Sequence, residues 1–219
     1  MLTGSDSRAD LLQNEARALL APFGLLPFGW FRCETGTVGL LIGNVGSNLW
    51  PTFRASDDFS DGKINSLDRW TQSVLQPIAD ELKAEARFPF GEKIWPFQQW
   101  AGQATGMKQS PIGLFIHPEY GLWTAFRGAL MFDVDFQFKE KRSDLHPCDR
   151  CVEKPCLTTC PIGAFTTDGY DYLSCKSHVR SDAGHACKTG SCLARKACPV
   201  GTQYTYDHDH GVFHMEAYV

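Results

Sequence analysis

The run Cys148-Asp-Arg-Cys151-Val-Glu-Lys-Pro-Cys156-Leu-Thr-Thr-Cys160-Pro161 decides how the second half of this chain is held together. A looser group follows it: Cys175, then Cys187-x4-Cys192-x5-Cys198-Pro199. Eight of the nine cysteines thus lie between Cys148 and Cys198, in two blocks that each end in Cys-Pro. Thiolates bunched at such spacing suit iron–sulfur cubanes, which take four each, and in two-cluster ferredoxins the cysteine before proline serves the other cluster. The proline cannot continue a helix and turns the backbone away. On this pattern Cys148, Cys151, Cys156 and remote Cys198 hold one [4Fe–4S] cluster, and Cys175, Cys187, Cys192 with Cys160 hold the other. Electron transfer is the expected work.

Two other uses of cysteine remain open. Zinc ribbons also use C-x2-C pairs, but normally as two short pairs rather than four-cysteine runs closed by Cys-Pro. Disulfides need an oxidising compartment, and Met1-Leu-Thr-Gly-Ser-Asp-Ser-Arg8 has no basic segment leading into an apolar run. Free thiols held by iron point to a reducing cytoplasm. Bacterial dicluster ferredoxins put two residues between the second and third cysteines; here there are four, Val152 to Pro155.

Working outward, 219 residues with 43% hydrophobic and 12% aromatic content are enough for one large or two small domains with a real core. No apolar stretch approaches a membrane span, and a net charge of −4 offers no basic field for nucleic acid. Lys176, Arg180, Lys188, Arg195 and Lys196 surround cysteines, where they offset the negative charge of a cluster.

Before the cysteines the pattern alternates between helix and strand. Ser7 and Asp10 stand at capping-box-like spacing ahead of a helix with Leu11, Leu12, Ala16, Leu19 and Leu20 on one face, stopped by Pro22 and Gly24. Leu25–Phe31 and Val38–Val45 are short apolar runs bounded by Gly or Pro and read as buried strands. Ser56–Gly62 reads as a polar loop, and Ser66 starts a helix with Trp70, Val74, Ile78 and Leu82 at i+4 and a kink at Pro77. Phe97–Ala104 is a short helix, and Ile112–Ile116 and Leu122–Phe132 are strands joined by the His117–Gly121 turn. Lys139–Asp144 marks the domain boundary. The expectation is an α+β fold: residues 1–143 as a sheet-and-helix domain, 144–201 as a small ferredoxin-like domain with two clusters, and 202–219 as a tail.

The segment Ile116-His-Pro-Glu-Tyr-Gly-Leu-Trp-Thr-Ala-Phe-Arg-Gly128 resembles a signature of CblC-type cobalamin-processing proteins, and Pro22-Phe-Gly-Leu-Leu-Pro-Phe-Gly-Trp30 resembles that family's entry strand. The likeness runs over residues 8–135. It implies a flavin-reductase-like, nitroreductase-related domain that holds cobalamin, with flavin as the alternative. Epoxyqueuosine reductases and reductive dehalogenases are similar in placing a related cobalamin domain before a two-cluster ferredoxin domain. Carried over by motif, Arg127 matches an arginine lining the upper-face site, and His117, Tyr120 and Trp123 share its hairpin. A histidine of the family falls near Phe88, so that role does not transfer.

Each of these residues has a plainer use. An arginine inside the apolar run Leu122–Phe132 must be paired or face a cavity; the partners at hand are Glu119 and Asp133. A histidine before proline is commonly a turn residue, yet imidazole also serves as a ligand. Trp30, Trp50, Trp95, Trp100 and Trp123 either wall a flat cofactor or fill core. His208-x-His210-x3-His214 is a metal pattern in a segment that reads as a mobile, hydrated tail. Cys33 reads as a small core residue, and Gly36–Gly46 as a glycine-punctuated strand rather than a phosphate cradle.

The sequence therefore points to an iron–sulfur oxidoreductase that passes electrons through two [4Fe–4S] clusters to a cobalamin or flavin in the N-terminal domain. Tyr120 is the best available proton donor. Its partners would be a low-potential electron-donor protein and a small-molecule substrate or corrinoid. The rival reading is a ferredoxin-like electron carrier, or a cofactor-handing protein, with no turnover of its own.

Overall fold

The computed structural model describes residues 4–33, 36–133, 137–138, 146–166 and 169–218. The run Lys139–Asp144 expected at the domain boundary lies outside them. From the N-terminus come α1 (Gly4–Leu20), β1 (Leu26–Arg32), β2 (Val38–Val45), α2 (Trp50–Arg54), α3 (Asp57–Ser60), α4 (Ser66–Glu81), β3 (Glu85–Arg87) and α5 (Phe97–Thr105). Then follow β4 (Lys108–Gln109), β5 (Phe115–Ile116) and β6 (Thr124–Phe132). The cysteine region adds α6 (Pro155–Thr158), β7 (Phe165–Thr166), β8 (Gly169–Tyr170), α7 (Tyr172–Arg180), α8 (His185–Gly190), α9 (Leu193–Lys196) and α10 (His208–Glu216). Among the described residues no helix is long and apolar enough to cross a membrane.

These elements form two compact units, Met1–Gly106 with Ala125–Ser143, and Met107–Thr124 with Asp144–Val219. The first unit is built on a four-stranded sheet in the order β1-β2-β6-β3, with β1/β2 and β3/β6 antiparallel. Every residue of β2 is buried, as its unbroken apolar sequence requires of a strand covered on both faces. Helix α5 packs on β1 and β2. Phe31 and Trp100 stack there with ring centroids 4.7 Å apart, a contact worth about 0.5–1.5 kcal/mol beyond its area. Close approach is possible because Gly29 has no side chain: a Cβ there would lie 2.3 Å from the Ala104 carbonyl oxygen.

The α1 face differs from the expected one. Ala9, Ala16 and Leu20 are buried while Leu11 is 68% exposed, so the apolar stripe is turned by about one residue and the short alanines carry the close contact. Helix α4 runs through Pro77 to Glu81 and buries Trp70, Val74, Leu75 and Ile78. The 56–62 stretch is not plain loop: Ser56 caps α3 by accepting from the Phe59 N–H. Cys33 is only half-buried, at a turn where its carbonyl accepts from Gly36 N–H, and so is no core residue.

The second unit contains more of the chain than 144–201. Met107–Thr124, expected with the N-terminal domain, belongs to it, because Ile112, Ile116 and Leu122 share an apolar cluster with Cys156 and Cys198. Ile112–Ile116 is a strand only at Phe115–Ile116, which pairs with Lys108–Gln109. Residues 202–219 are no loose tail. Helix α10 packs on α8 and buries His210 and Met215, Met215 joining Val179 and Cys187 in a second apolar cluster. A unit this small has little apolar surface to bury, and the terminal helix supplies some of it.

Candidate functional site

The thiols of the second unit interact in two sets of four. Burial, then the thiols of Cys198, Cys156 and Cys151, pushes the Cys148 thiol from 9.0 up to about 11. Burial followed by Cys198 and Cys151 raises Cys156, and burial followed by Cys151 raises Cys198. These four line one cavity. In the other set, burial raises Cys187, with Cys192, Cys160 and Cys175 adding to it. Burial likewise raises Cys192, with Cys175 and Cys160 adding to it. The sets are therefore Cys148, Cys151, Cys156, Cys198 and Cys160, Cys175, Cys187, Cys192.

Backbone N–H groups pull the other way. Those of Leu193 at Cys187, of Ala194 and Arg195 at Cys192, and of Val200 at Cys198 favour the thiolate, and Ala164 N–H donates to Cys160 Sγ at 3.4 Å. Backbone donors aimed at these sulfurs are a setting for negative sulfur. With the thiols raised, any metal must displace protons as it binds. Among the described residues no three His, Cys, Asp or Glu side chains close on the geometry of a single metal ion.

The turn His117–Gly121 sits directly on the exit of the last Cys-Pro. Gly121 has φ +59°, and a Cβ there would lie 1.9 Å from the Val200 carbonyl oxygen. His117 Nδ1 accepts from the Glu119 and Tyr120 N–H groups at 3.1 and 3.2 Å, and its ring stacks on Tyr120 at 4.2 Å. The histidine thus folds its own turn. Tyr204 meets Tyr120 edge-on at 5.0 Å and donates its hydroxyl to Glu119 at 3.0 Å.

Trp123 is 1% exposed. Arg195, between Cys192 and Cys198 in sequence, lies 4.5 Å from the ring centroids of both Trp123 and Tyr206. It also donates through Nε and Nη2 to the Leu122 carbonyl at 3.0 and 2.6 Å. Trp123 therefore serves as packing in this unit, where cation–π attraction holds it.

Arg127 belongs to the first unit, whereas His117, Tyr120 and Trp123 belong to the second. It is buried on β6 and donates through Nε to Asn44 Oδ1 on β2 at 3.0 Å. Asn44, a partner that the sequence did not suggest, is the one described for this Nε. Asp68 on α4 lies within its field: burial raises that carboxyl and Arg127 pulls it back. Of the tryptophans, Trp30, Trp50 and Trp100 are core, and Trp95 lies under Arg87 and Lys93 at 4.0 and 3.9 Å.

Several residues had no sequence signal. Ser110 has a buried hydroxyl on the wall of the Cys148 cavity. Burial, then hydrogen bonds with Cys175 and Tyr218, pushes the Tyr170 phenol far up. The metal-like histidines resolve into a pair, His210 and His214, whose Nε2 atoms lie 3.0 Å apart; one must donate and the other accept. His210 also stacks on Tyr206 at 4.0 Å.

No family model matches the chain, and a search of curated proteins finds no match. Among solved structures, the chain is similar to the crystal structure of a C. elegans B12-trafficking protein, CblC, described as a homologue of human MMACHC. The TM-score is 0.57 at 16% identity, over 95% of this chain and 92% of that one. The fold is CblC-like. The likeness reaches well past residues 8–135, over which the sequence resemblance ran.

Proposed function

We propose that the chain is an iron–sulfur reductase whose second unit binds two [4Fe–4S] clusters, one in each thiol foursome, and whose first unit holds a corrinoid. The observation that carries the iron–sulfur half is geometric: Cys148, Cys151, Cys156 and Cys198 line one cavity, and Cys187 packs with Cys175 and Cys192 in a separate apolar cluster. A single tetrahedral zinc with bonds of ~2.3 Å draws its sulfurs to within roughly 3.8 Å of each other, whereas a core of four irons and four sulfides spreads its thiolates further. When bound, such clusters supply low-potential electrons. The chain's own part is to fix the thiolates, wall them with apolar residues and direct N–H groups at sulfur, which sets the potential.

The corrinoid half is supported by the CblC-like fold and by the B12-trafficking role given to the C. elegans protein. Arg127, oriented by Asn44, would hold a polar or anionic edge of the ligand in the first unit; His117 and Tyr120, the other candidates carried by resemblance, belong to the second. A low-potential donor protein in a reducing cytoplasm would feed the clusters. The alternative of an electron carrier without turnover is favoured by one detail: the His117 Nδ1 is already used by backbone donors of its own turn. Titrating cobalamin, and separately flavin, into the anaerobic protein while following the ligand's absorbance decides between them. Binding of cobalamin tighter than about 1 mM is expected; if neither ligand binds, the carrier reading replaces the reductase.

A further inference from the structure

Ser110 is 7% exposed, and among the described residues its hydroxyl is buried without a hydrogen-bond partner. Leaving such a group unpaired costs about 1–3 kcal/mol, and buried hydroxyls nearly always have a partner of some kind. The backbone around it is fully used: Ser110 N–H donates to Leu114 O at 2.7 Å, and its carbonyl accepts from Gly113 N–H at 2.9 Å. That turn between β4 and β5 fixes Ser110 on the wall of the cavity lined by Cys148, Cys151, Cys156 and Cys198. Its neighbours on the wall include Pro111, Ile116, Leu122, Pro147 and Pro155, which carry no side-chain donor. Ser110 is the one hydroxyl of that lining.

We infer that Ser110 Oγ donates a hydrogen bond to a sulfur of the cluster held by Cys148, Cys151, Cys156 and Cys198, and so raises that cluster's reduction potential. This rests on the iron–sulfur reading above. Reduction places additional negative charge on the sulfurs, so a donor directed at them stabilises the reduced form more than the oxidised one. Apolar walls strengthen the effect, because little solvent screens it. The second foursome lies outside the cavity that Ser110 lines and serves as an internal control.

The test uses the full chain, loaded anaerobically with iron and sulfide, as wild type, Ser110→Ala, Ser110→Thr and Ser110→Val. Iron is counted first, and the two midpoint potentials are then read by an electron-paramagnetic-resonance redox titration. Ser110→Ala should shift one cluster about tenfold toward its oxidised form, a fall of ~59 mV for one electron, and leave the other unmoved. The threonine and valine variants have the same shape and differ in the hydroxyl alone, so they remain informative if alanine disturbs packing; threonine should keep the higher potential. Wild type with about eight irons but equal potentials in threonine and valine, or an unmoved pair in alanine, overturns the role of Ser110 and leaves the clusters standing. Wild type without iron overturns both.

Discussion

Arg127 Nε and Asn44 Oδ1 meet at 3.0 Å, joining β6 to β2 inside the first unit. Asn44 is fully buried and spends its own amide N–H on the Gly46 carbonyl at 2.9 Å. An arginine placed in an apolar strand thereby reaches a buried neutral amide on the neighbouring strand.

Arg127→Ala should therefore act twice. It leaves Asn44 Oδ1 without that donor, which should cost about 1–3 kcal/mol of stability in urea denaturation. It should also weaken cobalamin binding by about 1.5–3 kcal/mol, the value of a hydrogen bond to a charged group. Adding Asn44→Ala to Arg127→Ala should cost much less than the two single changes summed. Strict additivity would show that the pair does not act as a unit.

The two foursomes cross in sequence, so pairs of cysteine changes separate them. Cys160→Ala with Cys175→Ala should lose no more iron than either change alone, since both thiols belong to one set. Cys160→Ala with Cys156→Ala, neighbours in sequence but members of different sets, should lose nearly all of it. Iron analysis of the four variants reads the result directly. The reverse ordering would mean that each block of sequence feeds its own cluster.

Alkaline pH should weaken the iron-free chain. The Cys148 thiol rises from 9.0 to about 11 on folding, and Cys156, Cys187, Cys192 and Cys198 shift in the same direction. Between pH 9 and about 11 the unfolded chain has already lost protons that the folded chain keeps, so stability falls as pH rises through that window. Below pH 9 this contribution is present in full. Urea midpoints of the iron-free protein should drop between about pH 8 and about pH 11. A rising midpoint over that range contradicts the packing of these thiols.

Gly121→Ala tests the seating of the turn on the last Cys-Pro. A left-handed φ of +59° with a Cβ 1.9 Å from the Val200 carbonyl costs about 1–2 kcal/mol for the backbone alone, with the clash added. Since Val200 follows Cys198 and Pro199, iron should be lost first from the set that contains Cys198. Full iron and unchanged stability in the variant would mean that the turn shifts freely.

Much of the first unit was legible because period and punctuation agree there. Val38–Val45 is a strand with those bounds, and Phe97–Ala104 is a helix that runs one residue further. The larger misses depend on contacts between distant segments. Nothing local says that Met107–Thr124 belongs with the cysteines; that follows from Ile112, Ile116 and Leu122 packing on Cys156 and Cys198. The Asn44 partner of Arg127 lies 83 residues away in sequence. The terminal helix is weakly patterned, and its burial comes from a single side carrying His210 and Met215. Ser110, an ordinary serine in a turn, acquires meaning only from the cavity beside it.

The central claim is that two foursomes of thiols each hold a [4Fe–4S] cluster, and iron and acid-labile sulfide analysis of anaerobically purified protein, with Mössbauer spectra of an iron-57 sample, tests it most directly. The predicted result is about eight irons and eight sulfides per chain, all in cubanes. Zinc in place of iron, or about four irons, would contradict it.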